Sequence, residues 1–163
     1  TGRHFVESGI EFDAVYASPF LRTAETAEEI GRETGDDVLL EPGLGEHRNA
    51  DWFDSEPETV PVDRLADWFD PIRLTHEPHV VPGFPESHAE AMERAGRAAR
   101  SLVDATEGRL LLVGHGLSVG GVVHGLVGSA DGVDAPLCGL TRLERDGEDW
   151  LLECSGDTSH LDD

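Results

Sequence analysis

Short apolar runs alternate along this chain with longer stretches in which apolar residues return every three or four positions. Residues 12–17 (FDAVYA) form a short β-rich run, followed by Ser18 and Pro19, the types favoured at a helix N-cap and first turn. Phe20, Ala24, Ala27 and Ile30 then recur at helical spacing, predicting a helix over residues 19–33. Upstream, residues 1–9 read as the end of a helix, with Gly9 suited to the position just past its last turn. Residues 38–40 (VLL) give a second strand, ended by Glu41-Pro42-Gly43.

Regularity is weakest over residues 44–85, which carry prolines at 57, 61, 71, 78, 82 and 85 and one short amphipathic piece at 62–69. Trp52, Phe53, Trp68 and Phe69 imply that this insert packs on the body or forms a lid. Beyond it, Ala91, Ala95, Ala98 and Leu102 make one stripe of a helix over 86–106. Leu110 to Val113 is a continuous apolar run of the buried, parallel-sheet type. A glycine-containing helix over 117–127 and a hairpin of 140–144 with 150–154 around Asp146-Gly147 complete the series. Strand and helix in alternation imply an α/β three-layer sandwich with a mostly parallel sheet, in a single domain over residues 1–163.

Charge narrows the partners. The chain has 34 acidic and 12 basic residues, a formal net charge of −22, and every basic residue is arginine. A field of that sign repels a phosphate backbone, so no nucleic-acid partner is expected. The carboxylates are spread between apolar runs, as on a solvated surface, and with the absence of lysine they suggest adaptation to concentrated salt. No apolar stretch reaches the ~20 residues of a membrane span and no signal peptide is evident, so no membrane partner and a cytoplasmic location are expected. Cys138 and Cys154 are expected as buried thiols on neighbouring strands.

Two strand-to-helix junctions carry candidate chemistry. With Ser18 as N-cap, Arg22 lies one turn above it, where its guanidinium meets an anion drawn to free backbone N–H groups. The plain alternative is a surface arginine paired with Glu25 or Glu29. At the second junction a buried strand delivers His115 between Gly114 and Gly116 to the carboxyl edge of the sheet, where ligands bind in open α/β folds. Two such junctions together point to a phosphate site.

These stretches resemble the histidine phosphatase superfamily, in its phosphoglycerate mutase-like branch. The likeness runs through FDAVYASPFLRTAETA, GLGEH at 43–47, GFPES at 83–87, LLLVGHG at 110–116 and GDTSHL at 156–161. It implies phosphomonoester hydrolysis through a phosphohistidine on a small phosphorylated substrate, with Arg22, His115 and Ser18 holding phosphate. His115 and Glu46 would be catalytic, Glu46 as proton donor to the leaving group, and Ser87 and Gly116 would lie on the substrate side. Neither metal nor cofactor is needed if arginine and imidazolium neutralise the phosphoryl oxygens. The family's nucleophile sits in an Arg-His-Gly motif on the first, central strand, and this sequence has no such strand. Arg3-His4 is followed by Phe5 and aligns with the family's first helix instead. The expectation is therefore a domain lacking its amino-terminal strand, with the nucleophile upstream and a homo-oligomer covering the exposed sheet edge.

Rival readings are a non-catalytic module that binds phosphorylated ligands, a phosphoglycerate mutase, and a serine hydrolase. The last rests on Gly116-Leu117-Ser118-Val119-Gly120 with Asp131 or Asp134 and then His160. It would place Ser118 on a sharp turn, whereas the apolar run ends at Val113. His76, His79 and His88 lack the carboxylate or cysteine set of a metal site and read as loop histidines.

Overall fold

In the computed structural model, which describes residues 1–161, four short parallel strands lie side by side in the order β3-β2-β1-β4. They are β1 (Ala14–Ala17), β2 (Val38–Leu40), β3 (Ile72–Arg73) and β4 (Leu110–Val113). The central pairings align Val15 with Val38 and Leu111, and Ala17 with Leu40 and Val113. Helices cover both faces, which establishes the expected α/β architecture with a parallel sheet.

Alternation along β1 sorts the two cores. Val15 and Ala17 face α1 (Gly2–Glu7) and α2 (Leu21–Thr34), packing with Phe5, Ala24, Ala27 and Ile30. Tyr16 faces the other way, toward Ala98, Ala99 and Leu102 of α4 (His88–Ala105) and Val122 of α5 (Gly116–Val127). The last two helices approach very closely: a Cβ on Gly125 would lie 2.3 Å from the Gly96 Cα, so both positions need glycine. The insert contributes α3 (Val62–Trp68), whose Leu65 is fully buried, while β5 (Leu140–Asp146) and β6 (Asp149–Asp157) form a separate antiparallel ribbon.

Several expectations shift. Helix α2 begins at Leu21, capped by the Phe20 backbone, so Ser18 is not its N-cap and Arg22 sits in its first turn. Leu110, Leu111 and Leu112 are only half-buried, because among the described residues β4 has a strand on one side only. Trp52 and Trp68 are 63% and 52% exposed rather than packed, while Phe69 reaches the core. Cys154 lies on β6, but Cys138 is exposed in a loop with φ of 57°. No described helix is long and apolar enough to cross a membrane.

Candidate active site

The carboxyl ends of three parallel strands converge here, and each delivers one part of the site. After β1, the Ser18 N–H donates to Val113 O at 2.9 Å, tying the exits of β1 and β4 together. After β4, Gly114 keeps the chain close to the sheet, since a Cβ there would meet the Ser118 Oγ at 2.4 Å. His115 follows, buried, as the residue that caps α5. After β2, a tight turn at Pro42–Leu44 leads into Glu46.

The polar geometry fixes the state of His115. An Arg22 guanidinium N–H donates to His115 Nδ1 at 2.9 Å. Guanidinium accepts nothing, so Nδ1 is bare, and the proton of the neutral ring is on Nε2, donated to Ser18 Oγ at 2.9 Å. Burial pushes the His115 pKa down from 6.5 to about 4; Glu46 opposes this, and the charges of Arg22 and Arg94 reinforce it. Although Glu46 lies 3.5 Å from Nδ1, the contact is no ion pair, because that nitrogen carries no proton. Instead Glu46 Oε2 accepts from Arg22 at 2.9 Å and its Oε1 accepts from the His47 N–H at 2.9 Å. The His115 and Phe20 rings meet nearly perpendicular, and Arg22 also lies over the Phe20 ring.

Arg22, His115, Glu46 and Ser18 are thus brought together as the sequence suggests, and Arg22 pairs with Glu46 rather than with Glu25 or Glu29. Gly116 opens α5 beside them, exposed. Among the described residues Ser87 hydrogen-bonds none of these four. Its hydroxyl caps α4 in a reciprocal arrangement with Glu90, which also holds the Glu90 carboxyl below the usual range. Ser118 lies inside α5, not on a turn, and its hydroxyl accepts from His115 N and donates to His115 O, which removes the hydrolase reading. His160 serves Thr1 instead, and Asp134 N–H donates to Ser155. His4 stacks near His160, on a helix whose Gly2 abuts Ile30 and Glu33. That contact is roughly 12 Å along α2 from Arg22. His76 donates to the buried carboxylate of Glu41, which also accepts from the N–H groups of Gly43, His79 and Val80.

Sequence reasoning missed the frame that carries Glu46. Arg94, buried on α4, donates to the carbonyls of Gly43 at 2.8 Å, Gly45 at 3.1 Å and Glu46 at 3.2 Å. Its other N–H bonds form a two-point pair with Glu86 at 2.9 and 2.6 Å. Glu86 in turn accepts from Arg48 N–H, and its carbonyl accepts from His47 Nε2. The backbone on both sides of Glu46 is therefore held by one buried ion pair. The available signal was an arginine on the apolar stripe of α4, between Ala91 and Ala95 on one side and Ala98 on the next turn.

A desolvated imidazole and a guanidinium thus meet at parallel-strand exits of an α/β domain, with a carboxylate alongside. A sequence profile of the histidine phosphatase superfamily (branch 1) matches residues 3–158, and the chain belongs to that family. It is 31% identical over 165 aligned positions to a protein named probable phosphoglycerate mutase GpmB from Escherichia fergusonii, covering 91% of this chain and 73% of the relative. A protein of the same name from Cronobacter sakazakii is 30% identical with the same coverage. Among solved structures, Bacillus stearothermophilus YhfR superposes with a TM-score of 0.69 at 26% identity, covering 98% of this chain and 80% of that one. The ecdysone phosphate phosphatase of Bombix mori, solved with tungstate, superposes at 0.71 and 22% identity, and shares the fold. The alignment takes in 96% of this chain, which spans 61% of the length of that phosphatase.

Proposed function

We propose that this domain handles the phosphoryl group of a phosphomonoesterase that works through a phosphohistidine. One observation carries the reading: Arg22 donates simultaneously to the Glu46 carboxylate and to His115 Nδ1, so its donors are aimed at a place already filled by an anion. A phosphoryl dianion replaces that carboxylate on Arg22, and its charge favours the imidazolium form of His115, which then donates from Nδ1. Glu46, released from Arg22, carries the proton that the leaving group needs.

In the first step the nucleophilic imidazole forms a P–N bond, the ester P–O bond breaks, and the departing oxygen takes the Glu46 proton. In the second, water attacks phosphorus, its proton returns to Glu46, and the P–N bond breaks to give inorganic phosphate. The nucleophile is a histidine outside the group gathered around Arg22, on a strand bearing Arg-His-Gly. Names of the relatives support a phosphoryl-transfer reading in general, as either phosphatase or mutase.

The test is turnover of p-nitrophenyl phosphate in concentrated KCl by residues 1–163 and by a longer chain that carries such a strand ahead of residue 1. The expected result is activity in the longer chain alone, lost in its Arg22→Ala and His115→Ala variants. Equal turnover by the shorter chain overturns the placement of the nucleophile. Tungstate binding without turnover in either chain supports a non-catalytic phospho-ligand module instead.

A further inference from the structure

We infer that the site accepts phosphate esters of neutral or amine-bearing alcohols with an apolar body, and discriminates against alcohols that carry a carboxylate. This rests on the phosphate reading above and names the substrate class for it. A cleft of about 410 Å³ opens directly on Arg22, within the size range of small-ligand sites. Because Arg22 belongs both to this cleft and to the oxyanion pocket, an alcohol attached to a phosphoryl group on Arg22 has the cleft as its adjoining space.

The walls decide what that alcohol can be. Phe20, Leu21 and Val60 supply apolar surface, and Thr59 belongs to the same wall. The charged groups besides Arg22 are Glu25 and Glu58, both exposed carboxylates. Among the described residues neither has a cationic partner within ion-pair distance, although Glu25 is only one turn from Arg22. Arg22 is committed to phosphoryl oxygens, so a second anionic group on the ligand finds no other cation among the residues lining the cleft. It meets two uncompensated carboxylates instead, within a chain of net charge −22. A carboxylate-bearing phosphate such as a phosphoglycerate is therefore disfavoured. An ammonium group on the alcohol gains from the same two charges.

Three phosphonates that differ only at the far end test this: propylphosphonate, 3-aminopropylphosphonate and 2-carboxyethylphosphonate, each titrated calorimetrically with tungstate as the reference oxyanion. The work is done at the lowest KCl concentration that keeps the chain folded, because exposed charges are screened within a few ångströms in molar salt. The amine is expected to bind most tightly and the carboxylate most weakly, with a span on the order of tenfold. In the Glu25→Gln/Glu58→Gln double variant the ratio between amine and carboxylate should collapse toward one. If tungstate binds but the three phosphonates bind alike, or the carboxylate binds best, the inference is overturned while the phosphate reading stands. If tungstate itself does not bind, the phosphate reading fails and this inference falls with it.

Discussion

His115 is neutral in the folded protein at a pH where an unfolded histidine is half-charged, and that difference makes stability depend on acidity. The unfolded ring titrates near 6.5 and the folded one near 4. Between those values the unfolded chain binds a proton that the folded chain does not, so acidification favours unfolding. The full gap, at about 1.4 kcal/mol for each pH interval, amounts to about 3 kcal/mol lost from pH 7 down to pH 4. With the residue 6% exposed, solvent screening does little to reduce this. The perturbation is His115→Gln, which keeps a polar head of similar reach and cannot titrate. Urea unfolding of both proteins in the same KCl buffer, at pH steps from 7 to 4.5, gives a difference curve in which the other histidines and the carboxylates cancel. The His115 protein should lose stability relative to the variant as pH falls, with most of the change below 6.5. Parallel curves would mean that the ring titrates alike folded and unfolded, and the arrangement in which Arg22 donates to a bare, desolvated Nδ1 would be wrong.

Two further outcomes follow from the same geometry. Ser118→Ala removes the hydroxyl that caps both the N–H and the carbonyl of His115, and should cost about 1 to 2 kcal/mol in urea unfolding. Labelling of Ser118 by a fluorophosphonate would contradict its assignment as a buried cap. The net charge of −22 should make the melting temperature rise with KCl; a steady fall across the series would remove the proposal that this surface is adapted to concentrated salt.

The parts of the fold that were legible are those whose signal is local. Ala24, Ala27 and Ile30 point inward as their spacing requires, and Asp146-Gly147 lies at the bend of the β5–β6 ribbon, with Gly147 at φ of 64°. Arg22 and His115 could be paired from sequence because each follows a parallel strand, and parallel strands place their exits on one edge. Ser18 was harder to read. Its type matches an N-cap, but a bond to His115, 97 residues away, decides its role. Ser87 shows the reverse, since a serine three residues ahead of Glu90, before an apolar helical run, is itself a capping-box pattern. Glu86 and Arg94 escaped because a buried ion pair binding main-chain carbonyls has no spacing rule. Trp52 and Trp68 escaped because aromatic content alone does not say which face an insert turns to solvent.

The way Arg94 holds the loop bears on how the site can change over time. It touches carbonyl oxygens at Gly43, Gly45 and Glu46, and no side chain of that turn. A carbonyl is present whatever residue occupies the position, so loop side chains can be exchanged without altering what Arg94 recognises. Gly43 and Gly45 are excepted, because a Cβ there would meet the Ala98 Cβ at 2.6 Å and the Pro42 carbonyl oxygen at 2.9 Å. The Glu46 carboxylate is thereby carried by a backbone of constant shape, while the other side chains of the loop remain open to replacement. Descendants of one ancestral site can in this way vary the loop's side chains and keep the Glu46 carboxylate where it stands.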